Sequence, residues 1–280
     1  MKPNSAKPFL IAQISDLHIK ARGALSYRVV DTARHLRQAI AHIKGLKQRP
    51  DIVVATGDLT DFGKPEEYDL LRELLGELDL PLYLMPGNHD ERNNLRAAFP
   101  EHTYLRQQDE FIQYFIDDWP LRILALDTLI PGESGGMLCE KRLGWLAGQL
   151  RTHPDKPTLI MMHHPPFRTL IGHMDEIGLA DPDKFKCVLV NHPQVQAVIC
   201  GHLHRPIETV WKGIFMSTAP SPAHQVALDL APDAPSRFMM EPPAIRLHAW
   251  TAEDGWLSHT SYIGRFDGPY PFYDEGGLID

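Results

Sequence analysis

The stretch Phe9-Leu10-Ile11-Ala12-Gln13-Ile14-Ser15-Asp16-Leu17-His18 sets the pattern for the whole chain. Residues 9–14 are an apolar run too short for a helix and suited to a buried strand. An acid and a histidine, two positions apart, follow at once. The arrangement returns four times. Residues 52–55 lead into Gly57-Asp58, and 82–85 into Gly87-Asn88-His89-Asp90. Residues 158–162 lead into His163-His164-Pro165-Pro166, and 197–200 into Gly201-His202-Leu203-His204. Between the first strands the apolar period changes to that of a helix. Val29, Ala33, Leu36, Ile40 and Ile43 predict a helix over 27–47, closed by Arg49-Pro50, and Pro65 opens another running to about residue 78. Strands alternating with helices predict an α/β core with parallel pairing. Further on, 111–116 and 122–127 read as a hairpin pair and 140–151 as a helix. From 207 to 263 the chain reads as β-rich, with strands at 214–218, 225–229, 245–250 and 257–263. Prolines 220, 222, 232, 235, 242 and 243 force long turns within that region.

Ligands of open α/β sheets bind beyond the carboxyl ends of the strands. Five clusters that each follow a strand can therefore converge although they are far apart in sequence. Their Asp, Asn and His side chains form a nitrogen and oxygen donor set without thiolate, suited to zinc, manganese, iron or cobalt rather than calcium or copper(I). Asp16 and His18, two apart on extended backbone, point the same way, as do His202 and His204. The glycines at 57, 87 and 201 permit sharp turns that expose the next side chain. Each cluster alone has an ordinary explanation, an Asp as a cap or a His as a hydrogen-bonded core residue. Together they offer more ligands than one ion uses, and two ions sharing a carboxylate fit better. On the residues alone, the choice between His163 and His164 stays open.

Composition narrows the classes. The 280 residues carry 28 basic and 36 acidic side chains, a net charge of −8, so no basic face for nucleic acid is implied. No apolar run is long enough for a membrane helix, and the first residues lack the features of a leader. Cys139, Cys187 and Cys200 are too few and too scattered for a disulfide framework, and a reducing cytoplasm is expected.

D-x-H, G-D, G-N-H-D, H-H-P-P and G-H-x-H, in this order, resemble the calcineurin-like metallophosphoesterases. The likeness is strongest to the class III cyclic-nucleotide phosphodiesterases and, within them, the bacterial glycerophosphodiesterases. It extends to Lys64-Pro65-Glu66-Glu67-Tyr68, Pro81-Leu82-Tyr83-Leu84, His224-Gln225-Val226 and Tyr273-Asp274-Glu275. The resemblance implies a four-layer α/β/β/α sandwich over residues 1–263, with a C-terminal extension over 264–280. It implies two divalent ions (Fe, Mn, Zn or Co), one held by Asp16, His18, Asp58 and His204. The other is held by Asp58, Asn88, His163 and His202. The implied reaction is hydrolysis of small phosphodiesters, of the glycerophosphodiester or cyclic-nucleotide type, by attack of a metal-bound hydroxide on phosphorus. His89 is then the candidate general acid, with Asp61 of the G-D-x-x-D pattern orienting it, and Asn88, His89, His164 and His224 contact the substrate. Phosphoprotein phosphatases carry an arginine after G-D-x-x-D, whereas this chain has Phe62. A monoester dianion calls for arginine forks, so Phe62 favours a diester. A phosphomonoesterase or nucleotidase on the same site is the competing reading. A non-catalytic scaffold fits less well, because every ligand position is filled. The tail Gly268-Pro269-Tyr270-Pro271-Phe272-Tyr273 is expected to pack on something. The subgroup's use of its C-terminal region in subunit contacts implies a homo-oligomer.

Overall fold

The computed structural model describes residues 7–279. Residues 1–6, where the reading against a leader begins, and Asp280 at the end of the tail lie outside it. Strands β1 (Phe9–Ile14), β2 (Ile52–Thr56) and β3 (Leu82–Met85) run parallel, joined by α1 (Thr32–Gly45) and α2 (Pro65–Leu75). After α3 (Arg92–Ala98) and a short 3₁₀ turn at Thr103–Arg106 the chain enters a second sheet. This contains β4 (Tyr114–Ile116), β5 (Arg122–Leu126), β6 (Thr158–Met162), β7 (Val195–Cys200), β8 (Glu208–Trp211) and β9 (Ile214–Thr218). The order is β4-β5-β6-β7-β9-β8, with β4 and β8 antiparallel at the edges and the four inner strands parallel. Helices α4 (Glu140–Thr152), α5 (Gly172–Asp175) and α6 (Pro182–Leu189) occupy its connections. The two-residue strands β10 (Gln225–Val226) and β11 (Phe238–Met239) pair across the proline-rich loop. The chain then returns to the first sheet through β12 (Ala244–Thr251) and β13 (Gly255–Tyr262), β12 lying antiparallel to β1.

Helices on both outer faces and one core running between the sheets give the layer order α/β/β/α. Strands β1, β2, β5 and β6 are buried at every residue, which is why they read as continuous apolar runs. The edge strands β8 and β13 alternate instead. A polar chain pins the sheets together beneath the strand ends. Gln13 Nε2 donates to Thr56 Oγ1 and to the Cys200 carbonyl, both at 2.9 Å, and His248 Nε2 donates to Gln13 Oε1 at 2.9 Å. Every member is partnered, as burial requires.

Two expectations change. The first helix begins at Thr32, not 27. Tyr27 and Arg28 have φ of 48° and 67°, Val29 is exposed, and Asp31 caps the helix by accepting from Arg34 N at 2.9 Å. The strand expected over 225–229 stops at Val226. The tail carries the small hairpin β14 (Tyr273–Asp274) and β15 (Gly277–Leu278), and leaves Phe266, Tyr270, Phe272 and Tyr273 exposed.

Candidate metal centre

The five clusters leave the ends of β1, β2, β3, β6 and β7 and meet at one end of the sandwich. The paired residues reach it by a route the sequence did not suggest. Strand β1 ends at Ile14 and β7 at Cys200, and the residues beyond are not extended. Asp16, His18, Asp58, His202 and His204 all have positive φ, between 45° and 72°. For residues with a Cβ this costs about 1–2 kcal/mol each, and such strain gathers at functional sites. Backbone bonds hold it in place, Asp16 N to Gly57 O at 3.1 Å and His18 N to Asp58 O at 2.9 Å. Of the three glycines, only Gly57 takes a positive φ, 93°. Gly87 is needed for space, since a Cβ there would lie 2.2 Å from Asp58 Oδ1.

Asp16, Asp58, His18, His163 and His204 each commit one polar atom outward and leave one for the cluster. Asp16 Oδ1 accepts from His202 N at 2.8 Å, while Asp16 Oδ2 is buried without a partner. Asp58 Oδ1 accepts from His89 N at 2.9 Å. Asp58 Oδ2 faces His18 Nε2 at 3.6 Å on one side and His163 Nε2 at 3.3 Å on the other. His18 Nδ1–H donates to Asp61 Oδ1 at 3.0 Å, His163 Nδ1–H to Thr56 O at 2.8 Å, and His204 Nδ1–H to His224 O at 3.1 Å. Oxygen partners of this kind fix the tautomer and turn each Nε2 lone pair inward, as in metal sites. His18 and His204 bring their Nε2 atoms within 3.1 Å of each other, Asn88 Oδ1 stands 3.1 Å from His163 Nε2, and His202 Nε2 is buried without a partner. Asp16, His18, Asp58 and His204 could hold one ion and His163 and His202 belong to a second group beside it. Unpartnered buried oxygen and nitrogen atoms aimed at one space fit divalent cations.

The electrostatics agree. Burial pushes the Asp16 carboxyl up to about 6. Burial alone would lower His163, but the carboxylates of Asp58 and Asp16 overturn it and raise the imidazole to about 9. Burial, joined by the positive charge of His163, pushes His202 down to about 3. Asp58 stays well below the usual carboxylate range despite its burial, because His163 and His89 face it. Metal ligands must be deprotonated, so a cation bound by this cluster would compete with the protons its side chains hold.

The calcineurin-like phosphoesterase family matches residues 9–206. The chain belongs to that family. A probable glycerophosphodiester phosphodiesterase of Arcobacter nitrofigilis is 48% identical over 97% of this phosphoesterase and 100% of its own length. A probable cyclic nucleotide phosphodiesterase of Rhodopseudomonas palustris is 37% identical over 95% and 96% respectively. A dimetal phosphatase from Danio rerio shares the fold, with a TM-score of 0.63 at 19% identity over 92% of this chain and 100% of that one.

Two expected roles in this phosphoesterase change. Asp61 does not orient His89 through its carboxylate. His89 Nδ1–H donates to the Asp61 backbone carbonyl at 2.8 Å, while the carboxylate takes His18 Nδ1, Lys20 Nζ at 2.8 Å and Ser26 Oγ at 3.2 Å. These donors hold the Asp61 carboxyl well below its usual range against the effect of burial. Asp61→Asn is therefore expected to weaken metal affinity by about 10–100-fold, through His18, which metal titration of the variant measures. His164 does not face the substrate space either. It is fully buried, its Nδ1 accepts from Thr128 Oγ1 at 2.8 Å and its Nε2–H donates to Ser134 O at 3.1 Å. With both nitrogens engaged it ties down the loop that carries Ser134.

Asn88, His89 and His224, the other residues expected to contact substrate, border open space. A cavity of about 390 Å³ is lined by His18, Asp58, Asn88, His89, His202, His204 and His224. A second, of about 380 Å³, shares Asn88, His89 and Ser134 with it and continues past Phe62, Arg92 and Glu133. The sequence reading missed Asp90, although it stands inside the quoted G-N-H-D. Its buried carboxylate accepts from Leu59 N, Thr60 N, Gly87 N and Tyr68 Oη, and so ties the turn that bears Asn88 to the turn that bears Asp58. It also missed Tyr27, Arg237 and Phe238, which line the first cavity.

Proposed function

We propose that this phosphoesterase hydrolyses small phosphodiesters, of the glycerophosphodiester or cyclic-nucleotide type, on two divalent cations. One would be held by Asp16, His18, Asp58 and His204, the other by Asp58, Asn88, His163 and His202. The observation that carries the reading is Asp58 Oδ2, poised between His18 Nε2 and His163 Nε2 at 3.6 and 3.3 Å, the position of a shared ligand. Divalent cations so held supply Lewis-acid charge and make water a nucleophile at neutral pH. Iron, manganese, zinc and cobalt all suit the donor set.

The chain's own residues complete the site. His89 lines both cavities, and its bond to the Asp61 carbonyl leaves Nε2 to carry the proton that a departing alkoxide takes. Asn88 stands at the same junction and orients the phosphoryl group. His224 packs its ring 4.6 Å from that of His204, and burial and His18 keep it neutral, at about 3, as a neighbour for a phosphoryl oxygen.

A diester is favoured over a monoester because neither position 62 nor Arg92 nor Arg168 supplies a free arginine fork to the cluster. Phe62 stands where a phosphatase would place one, with Lys20 over its ring at 4.2 Å. Arg92 is bound through Nε and Nη2 by Asp127, at 2.6 and 2.8 Å, and Arg168 pairs with Asp175. Two cavities meeting at His89 also give each arm of a diester its own space. Bis(p-nitrophenyl) phosphate and p-nitrophenyl phosphate, compared on protein stripped of metal and refilled, test the choice. The diester is expected to give the higher kcat/KM, and preference for the monoester would move the assignment to a phosphatase.

A cytoplasmic setting is supported by the unpaired Cys139, Cys187 and Cys200. Among the described residues no helix is long and apolar enough to cross a membrane. Assembly into a homo-oligomer through the tail is supported by its uncovered aromatic side chains. A monomeric mass in light scattering would remove it.

A further inference from the structure

The cavity beside His224 has a wall that the metal cluster does not explain. Phe238 lies tilted against Tyr27 with ring centroids 5.0 Å apart and meets the edge of His224 at 5.3 Å. Met174, Ile177 and Val226 extend this apolar surface, and Arg237 stands among the lining residues next to Phe238. Each cavity has one arginine in its wall. That of the other, Arg92, is neutralised by the buried carboxylate of Asp127. The nearby Arg205 is likewise paired with Glu241, at 2.7 Å. Arg237 has no carboxylate partner among the described residues, and its side chain is exposed at the cavity mouth. Its backbone is nevertheless fixed. The Arg237 carbonyl accepts from Ala227 N at 2.9 Å, and the adjacent Phe238 is paired with Val226.

A diester carries a single negative charge, at phosphorus, and the metal cluster answers it. An arginine without a carboxylate partner, lining the same cavity, answers a second one. We propose that Arg237 is a specificity-determining residue, which selects phosphodiesters whose arm along this cavity bears its own oxyanion, a carboxylate or a second phosphate. Guanidinium binds both through the same planar fork of N–H donors. The inference rests on the phosphodiesterase reading above.

The test uses p-nitrophenyl phosphodiesters with phenyl, 4-carboxyphenyl and 4-phosphonomethylphenyl second arms, on the metal-loaded full chain. The anionic arms are expected to raise kcat/KM over phenyl by about tenfold at low salt. That ratio should shrink as salt screens the exposed pair. The two anionic arms show whether carboxylate or phosphate is preferred. Arg237→Ala and Arg237→Gln should both bring the ratio close to one, and Arg237→Lys should keep part of it. A ratio near one in the unaltered protein, or a ratio unchanged in both neutral variants, overturns the proposal while leaving the phosphodiesterase reading intact. If no diester is hydrolysed, that reading fails. Calorimetric binding of phenylphosphonate against 4-carboxyphenylphosphonate then decides the role of Arg237 separately, and equal affinities overturn it.

Discussion

Asp58→Asn is expected to lower diester turnover at least about a thousandfold and to leave one bound metal ion per chain or fewer. The asparagine keeps the shape of the side chain, so the bond from His89 N to Oδ1, at 2.9 Å, can survive in one orientation. What is lost is the charge on the atom that faces His18 and His163 together, and the amide either turns N–H donors toward the cluster or offers one neutral oxygen. Elemental analysis of the purified variant beside its turnover measures both effects. Near-UV circular dichroism checks that the sandwich has formed. Two ions per chain together with turnover within a few-fold of the parent would mean that Asp58 is not the shared ligand.

His89→Ala is expected to behave in the opposite way, with turnover falling about 10²–10⁴-fold for alkyl leaving groups while metal content stays level. The side chain touches the cluster only edge-on, its ring centroid 4.6 Å from that of His18, and its own hydrogen bond goes to the Asp61 carbonyl. A proton donor matters most when the departing alkoxide is strongly basic. The loss should therefore be much smaller for p-nitrophenolate than for a simple alkoxide. Equal losses with both leaving groups would show that His89 acts on binding or on the fold, and loss of metal would make it a ligand or a support.

The metal cluster was legible because both of its requirements are local. An apolar run announces a strand, and the donor residues stand directly after it, so the ends of β1, β2, β3, β6 and β7 could be read one at a time. What failed was whatever depends on a distant partner. Asp61 lies close enough to serve either His18 or His89, and only the folded loop, with Lys20 and Ser26 arriving beside it, decides for His18. His164 looked available until Thr128 and the Ser134 carbonyl took both its nitrogens. Val29 fits the helical period of α1, yet the left-handed Tyr27 and Arg28 put it in a turn. Arg237 sits in a proline-rich loop without periodicity, and nothing in its neighbours predicts that it borders the site. The left-handed backbone at five of the donor residues was likewise invisible, because a D-x-H reads as extended unless the hydrogen bonds that bend it are known.

Metal titration of the chelated protein decides whether two cations share Asp58 in a site that cleaves diesters. Bound manganese and bis(p-nitrophenyl) phosphate turnover would be followed on the same samples. Turnover is expected to be negligible in the chelated protein and to rise to a plateau as occupancy reaches two ions per chain. Saturation at a single ion, or diester turnover that persists after chelation, would contradict the two-cation site.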